Sequence, residues 1–180
     1  GDVYKRQWYN NAASNQTKSL MDYSYDEFRS STEALLVSVF AGCKIAAAHM
    51  RKTGGGVILN ASSYSAVIPN AGRAPYSACK SAVSSLTRSF AAELAPDQIR
   101  VLAYVPGLIA TEITRDHIAR NRDALLSAIP CRRFGRPEDL AKVLVFLSSD
   151  IAEYMNGTEV YISGGKFCTQ NPQYGWEHMV

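Results

Sequence analysis

The sequence predicts an α/β domain built on a parallel sheet. An apolar run without alternation at residues 57–59 is typical of a strand that is buried on both faces, and the mainly apolar run at 99–105 predicts another buried strand. The stretch between these runs repeats apolar residues at helical spacing, at Val83, Leu86, Phe90 and Leu94. A strand, a helix and a second strand in this order form the crossover unit of a parallel sheet.

The elements before and within this unit follow from local signals. A long helix is expected from Ser24 to Gly54, with an apolar stripe at Leu36, Phe40, Cys43, Ala47 and Met50. The strand at 57–59 ends in small polar residues. Pro75 suits the first turn of the next helix, and Pro96 ends that helix.

The second half of the chain continues the pattern. Residues 111–129 predict a mobile helical flap, and Pro137 begins another helix. A short last strand is expected at 159–162, and the tail from Phe167 onward is aromatic and irregular. The stripe of the Pro137 helix comprises Leu140, Val143, Leu144 and Leu147.

Three residues suggest proton transfer to or from an alcohol. Tyr76 and Lys80 are four apart and therefore share one helix face. A nearby ammonium lowers the pKa of an acid by roughly 1–3 units, and tyrosine begins at about 10. Ser63 follows a strand end, where open α/β sheets bind ligands, and its hydroxyl can polarise the same oxygen. Ser62 is the alternative candidate for this role. The alternative interpretation of Tyr76 and Lys80 is an ordinary pair on the helix surface.

The motifs resemble those of the short-chain dehydrogenase/reductase family, the single-domain Rossmann type, over residues 8–165. Their order and spacing support the resemblance more strongly than any one segment. The matching segments are Asn10-Asn11-Ala12-Ala13, Asn60-Ala61-Ser62-Ser63 with Tyr76 and Lys80, Pro106-Gly107-Leu108-Ile109-Ala110-Thr111, Arg133-Phe134-Gly135-Arg136-Pro137-Glu138, and Ile162-Ser163-Gly164-Gly165.

This resemblance implies a role for each matching position. Tyr76 is the catalytic acid/base, Lys80 lowers its pKa and holds the nicotinamide ribose, and Ser63 orients the substrate oxygen. The cofactor, NAD or NADP, is implied to contact Asn11, Ala12, Ala13, Tyr76, Lys80, Pro106, Gly107, Ile109 and Thr111. No metal is implied.

The chain also departs from the family pattern. Leu35 occupies a position where the family often has an asparagine that takes part in a proton relay. The simpler interpretation of Leu35 is that it is a residue of the hydrophobic core. Ala13 replaces a glycine. No glycine-rich phosphate loop precedes Asn10, and about 80 residues of such a sheet are expected upstream. The predicted fold is therefore the C-terminal part of a doubly wound parallel-sheet domain, with its first βαβαβ cofactor half largely missing.

Three segments are predicted from these boundaries. Residues 1–7 fit no part of the pattern and are interpreted as a non-native leader. Residues 8–165 are the partial dehydrogenase domain, and residues 166–180 are a C-terminal tail.

Composition excludes other classes of function. The net charge of +3 is too small to indicate nucleic-acid binding. The sequence shows no secretory signal, and no stretch was expected to be long and apolar enough to span a membrane. The four cysteines lack metal spacing and are expected to be reduced thiols, which points to the cytoplasm.

The predicted function is hydride transfer between NAD(P) and an alcohol/carbonyl substrate. The alternative is that the chain is a catalytically silent fragment or an oligomerisation module of such an enzyme. Such a fragment lacks the phosphate-binding loop. Family members pair through the two long helices that carry Phe40 and Phe90 here, so a homodimer or homotetramer is expected for the full-length protein. The sequence does not distinguish NAD from NADP, nor one small-molecule alcohol or ketone from another.

Overall fold

A four-stranded parallel sheet organises the part of the chain that the computed structural model describes, residues 6–13 and 16–178. Its strands follow the chain order, as β1 (Gln7–Asn10), β2 (Gly56–Ala61), β3 (Ile99–Pro106) and β4 (Glu159–Ile162). The helices are α1 (Tyr25–Thr32), α2 (Ser38–Met50), α3 (Ala74–Leu94), α4 (Arg115–Ser127), α5 (Pro137–Ser148) and α6 (Tyr174–His178). The predicted α/β class and parallel sheet are confirmed.

The sheet brings four loop segments to one edge. Each strand pairs in parallel with its neighbour, as in the Trp8–Ile58 and Ile58–Val101 pairs. Because all strands point the same way, the residues that follow β1, β2, β3 and β4 all leave the sheet at its carboxyl edge. The functional motifs of the sequence come from this edge.

The amino end of the described chain is already part of the sheet. β1 begins at Gln7, one residue before the predicted domain start, and Gln7 pairs with Val57. The carbonyl of Arg6 accepts a hydrogen bond from Val57 N at 2.8 Å. Residues 1–5 of the predicted leader lie outside the described residues.

One face of the sheet is covered by α2 and α3. α1 begins with a capping box, in which the Ser24 hydroxyl accepts from Glu27 N and the Glu27 carboxylate accepts from Ser24 N. A π-helical turn, Glu33–Val37, joins α1 to α2. This turn adds a residue and rotates the apolar stripe. Leu35, within the turn, and Val39, in α2, are buried, whereas the predicted stripe residue Phe40 is 42% exposed.

The expectation that no stretch is long and apolar enough to cross a membrane was wrong. The helical stretch Tyr25–Met50, at 26 residues, meets that test of length and composition. A core helix of a soluble protein passes the same test. Here the stretch packs Val39, Cys43 and Met50 into the cluster that α3 and the strands complete.

The other face of the sheet is covered by α5 and the 3-10 turn Asp150–Ala152. Leu147 is the fully buried residue of the predicted α5 stripe, and Val143 and Leu144 pack beside it. On the sheet side, Leu59, Leu102 and Tyr104 belong to the same cluster. The sheet thus has helices on both faces, which explains why its central strands are apolar without alternation.

The tail, predicted to be irregular, contains the short helix α6. Its Trp176 indole donates a hydrogen bond to the carbonyl of Pro130 at 2.8 Å. The Arg132 guanidinium lies 5.6 Å from the Trp176 ring centroid, which adds a cation–π contact. The tail is therefore attached just beyond the carboxyl end of α4.

A polar network crosses the core beneath the carboxyl edge. The Asn10 amide donates to Asn60 Oδ1 at 2.8 Å and to Cys43 Sγ at 3.4 Å, and its oxygen accepts from Trp8 Nε1 at 2.8 Å. Asn60 in turn donates to Thr87 Oγ1 at 3.0 Å. The network links β1, β2, α2 and α3 and leaves the side chain of Asn10 little freedom to move.

Gly42→Ala is expected to destabilise the protein by about 1–3 kcal/mol, as overpacking does. A Cβ at Gly42 would overlap the Asn10 side-chain oxygen and lie 3.0 Å from Trp8 Nε1. Urea unfolding measures the effect. Ala41→Gly, at the exposed neighbouring position, is the control. It measures the difference in helix propensity between alanine and glycine, about 1 kcal/mol, where no steric overlap is involved. A more stable Gly42→Ala protein would contradict the steric argument.

Candidate active site

The two serines at the end of β2 have different environments. Ser62 is 2% exposed, and its hydroxyl shares a 2.7 Å hydrogen bond with the Ser84 hydroxyl. Ser63 is half-buried and begins the 3-10 turn Tyr64–Ala66, where its Oγ accepts from Ser65 N at 3.1 Å. An acceptor role toward Ser65 leaves the Ser63 hydroxyl hydrogen available for another group. The Ser62 hydroxyl is instead bonded within the core, to Ser84.

Tyr76 lies in the first turn of α3 and forms part of two cavities. Pro75 precedes it in the same turn, as the sequence predicts. The half-buried ring contributes to the wall of a cavity of about 740 Å³ and to that of a second cavity of about 490 Å³. The phenol is thus accessible to small molecules from the carboxyl edge of the sheet.

Lys80 lies one helical turn beyond Tyr76 and is almost fully buried. Only 2% of it is exposed, and its Nζ is 5.6 Å from the Tyr76 ring centroid. The ammonium donates a hydrogen bond to the carbonyl of Ala61 at 2.7 Å. Burial, the main cause, lowers the pKa of Lys80 to about 8. The chain therefore maintains a desolvated amine beneath Tyr76, at the end of β2.

The larger cavity brings together most of the residues that the sequence assigns to the cofactor. It lies above the carboxyl ends of β1 and β3, against α5. Of the predicted residues, its wall contains Asn11, Tyr76, Pro106, Gly107, Ile109 and Thr111. Ser63, Lys80, Ala12 and Ala13 are not among its lining residues. Ser63 follows the end of β2, and Lys80 donates to the carbonyl of Ala61, the last residue of that strand.

The loop after β3 forms a firm wall of the cavity. Gly107 allows close backbone approach, because a Cβ there would lie 2.6 Å from Ser163 Cα. Ala110 N donates to the Gly135 carbonyl at 2.8 Å, and Gly135 N donates to the Leu108 carbonyl at 3.0 Å. Thr111 N donates to the Thr114 hydroxyl at 2.9 Å. The loop after β3 and the segment around Gly135 are thus hydrogen-bonded to each other beside the cavity.

The predicted flap begins at this wall. α4 has no buried residue, and its helical conformation breaks at Asn121, where φ is −132° and ψ is 24°. An exposed helix with an internal break has few contacts to hold it in place. This geometry is consistent with the predicted mobile segment.

Leu35 contributes to the smaller cavity. It is 2% exposed and lies within the π-helical turn, opposite Tyr76 across the cavity. Its burial agrees with the simpler interpretation of Leu35 as a core residue.

The sequence analysis missed Tyr104 as a site residue. Tyr104 is 1% exposed, yet its phenol reaches the wall of the larger cavity and donates a hydrogen bond to Asn11 Oδ1. Burial raises the pKa of Tyr104 to about 12. The available signal was a single phenol in the apolar part of a strand, residues 101–105, because a buried phenol requires a hydrogen-bond partner.

Comparisons with known proteins identify the family to which this fold belongs. A family profile described as enoyl-(acyl carrier protein) reductase matches residues 8–166. The 7alpha-hydroxysteroid dehydrogenase of Clostridium sardiniense is 37% identical over 161 residues, which are 89% of this chain and 61% of that protein. The 3-oxoacyl-(acyl-carrier-protein) reductase of Thermotoga maritima is 35% identical over 156 residues, which are 87% of this chain and 63% of that protein.

Solved structures show the same fold. A short-chain type dehydrogenase/reductase from Mycobacterium marinum superposes with a TM-score of 0.83 at 33% identity, covering 91% of this chain and 65% of that one. A protein assigned as a 2-deoxy-d-gluconate 3-dehydrogenase from Agrobacterium tumefaciens, with NADP bound, gives a TM-score of 0.86 at 29% identity over 91% of this chain and 68% of that one.

The chain spans 61–63% of the length of the two curated relatives described above. Within that span, the family profile covers both the strand end at Ser63 and the helix that bears Tyr76 and Lys80. From its sequence, its fold and its site, this chain belongs to the short-chain dehydrogenase/reductase family.

Proposed function

We propose that the protein transfers a hydride between NAD or NADP and an alcohol/carbonyl substrate, with Tyr76 as the acid/base. The single observation that supports this best is the position of Tyr76. Its accessible phenol faces a cavity of about 740 Å³ and lies one helical turn from a buried amine. This arrangement combines a proton donor, a nearby cation and room for a ligand.

The cavity is chemically suited to the nicotinamide end of such a cofactor. Its wall is mainly apolar, with polar groups supplied by Asn11, Tyr76 and Thr111. An amide and two hydroxyls suit ribose and carboxamide groups, and the apolar wall at Pro106 and Ile109 suits a flat ring. When bound, the nicotinamide would supply or accept the hydride at the substrate carbon.

The chain's own residues would handle the proton. In the reductive direction Tyr76 Oη gives its proton to the carbonyl oxygen as that carbon gains the hydride, and the phenolate then recovers a proton from solvent. The Ser63 hydroxyl would donate to the same oxygen and stabilise its developing charge. Lys80, at 5.6 Å from the Tyr76 ring, would favour the phenolate electrostatically.

One observation favours the alternative, that the 180-residue chain alone is catalytically silent. The glycines at 54–56 lie where β2 begins, at the sheet edge opposite the cavity. Within the described residues, no glycine-rich turn joins a strand to a helix beside the cavity. The pyrophosphate of a dinucleotide therefore lacks its usual cradle in this part of the chain.

Deuterium transfer tests both possibilities. The full-length protein, expressed with any coding sequence upstream of Gly1, is incubated with NADH or NADPH deuterated at C4 and with steroid, sugar and small ketones. The expected result is deuterium at the carbinol carbon of at least one product, found by mass spectrometry. The 180-residue chain is assayed in parallel, where little or no transfer supports the silent alternative. Complete absence of transfer by the full-length protein would overturn the proposed function.

A further inference from the structure

Tyr104 places a polar atom between two aliphatic neighbours of its strand. Its neighbours in β3, Ala103 and Val105, are fully buried, and the Tyr104 ring packs with Leu59 and Leu147. An aliphatic side chain would fill this part of the core without introducing a hydroxyl. The hydroxyl reaches Asn11, at the start of the loop after β1. The phenol thus connects the core to the cavity wall.

The hydrogen bond fixes which way the Asn11 amide faces. A buried phenol needs an acceptor for its hydrogen, and an asparagine side chain has one acceptor oxygen and one donor NH₂ group. With the oxygen toward Tyr104, the phenolic hydrogen is satisfied. The flipped amide would leave that hydrogen buried without an acceptor, which is unfavourable. Because burial raises the pKa of Tyr104 to about 12, the phenol keeps this hydrogen throughout the physiological range.

The NH₂ group of Asn11 is then left for the cavity. Asn11 is exposed and lines the cavity together with Tyr76 and Thr111. Within the described ranges 6–13 and 16–178, its Nδ2 makes no hydrogen bond. A donor of this kind complements oxygens, such as those of a ribose or a phosphate.

We propose that Tyr104 is a positioning residue that orients the Asn11 amide, so that its NH₂ group donates to a ribose or phosphate oxygen of the nicotinamide nucleotide. This inference rests on the proposed function for the identity of the ligand. The orientation of Asn11 rests on the contacts of this chain alone. The two parts can therefore be tested separately.

The orientation is tested on the 180-residue chain by ¹⁵N NMR of side-chain amides. Asn11→Ala identifies the Asn11 NH₂ signals by their disappearance. Tyr104→Phe keeps the ring and removes only the hydroxyl, so the Asn11 signals are expected to move. Tyr9→Phe is the matched control, since Tyr9 also lines the cavity but bonds Ser148 Oγ at 2.8 Å. Unmoved Asn11 signals in Tyr104→Phe would overturn the proposal.

Ligand binding is tested on the full-length protein with NADH and NADPH by fluorescence titration. Tyr104→Phe is expected to raise the Kd of the preferred nucleotide about tenfold, as the loss of one well-oriented hydrogen bond does. In an Asn11→Ala background the same change should have little further effect. Equal losses in both backgrounds would overturn the positioning role. If the unmodified protein binds neither nucleotide, the proposed function and the assigned ligand fail together, whereas the NMR result still decides the orientation of Asn11.

Discussion

Tyr76→Phe in the full-length protein is expected to lower the rate of hydride transfer by about 10²–10⁴-fold, the usual contribution of a general acid/base. The substitution keeps the half-buried ring beside Lys80 and removes only the phenolic proton. Binding of NADH or NADPH should weaken by about tenfold at most, the effect of losing one hydrogen bond. Stopped-flow single-turnover measurement separates the chemical step from binding and product release.

Tyr64→Phe is the control for this experiment. Tyr64 follows Ser63 directly, but its phenol donates to the Ser163 hydroxyl at 3.2 Å, and its ring packs against Tyr161 and Phe167. Its variant is expected to retain activity within tenfold. Comparable activity of the Tyr76→Phe and unmodified enzymes would remove Tyr76 from the mechanism.

Lys80→Met is expected to abolish activity and, at pH 7, to stabilise the fold by about 1–3 kcal/mol. Burial lowers the pKa of Lys80 from 10.5 to about 8, so the charged amine is less favourable in the folded state than in the unfolded one. A shift of that size corresponds to roughly 3 kcal/mol at pH 7. The lost hydrogen bond to the Ala61 carbonyl offsets about 1 kcal/mol of this gain.

The pH dependence of the stability difference between the two proteins distinguishes the removal of a buried charge from a general packing effect. Between pH 8 and 10.5 the folded protein has released the Lys80 proton while the unfolded chain still holds it. The stability contributed by this group therefore rises with pH across that window. The advantage of Lys80→Met should be largest below pH 8 and decline toward pH 10.5.

Urea unfolding of the two proteins at pH 6 to 10 measures the difference. Lys142→Met, at an exposed position of α5, is the control and should show a small difference that does not change with pH. A Lys80→Met protein less stable than the unmodified one at pH 7 would show that the buried amine stabilises the fold. An inactive but more stable variant would instead mean that the site retains a costly charge for function.

Much of the fold was predictable because local signals agreed with the tertiary structure. These signals act within a few residues: the mainly apolar runs of β2 and β3, Pro75 and Pro137 in the first turns of α3 and α5, and the Ser24 start of α1. The π-helical turn was not predictable in this way. It places Leu35 in the core, and no local signal in the sequence marks the turn.

The proximity of several predicted site residues follows from the sequence, and their chemical roles stay predictions. Tyr76 and the wall from Pro106 to Thr111 lie around one cavity, as the motif spacing suggests. The hydrogen-bond partners were beyond the sequence, because they depend on which side chains meet across elements. Lys80 bonds the Ala61 carbonyl, and Tyr104 bonds Asn11, which lies 93 residues away in the chain.

The attachment of the tail has a practical consequence. Trp176 and Trp8 are the two tryptophans of the chain, and the Trp176 indole is bonded to Pro130, just past the end of α4. A Trp8→Phe protein would therefore carry one tryptophan, next to the base of the flap. Because the Trp176 indole is already 62% exposed, loss of its bond to Pro130 and of its contact with Arg132 is expected to change the intensity of its emission, so flap movement during ligand titration can be followed without a label.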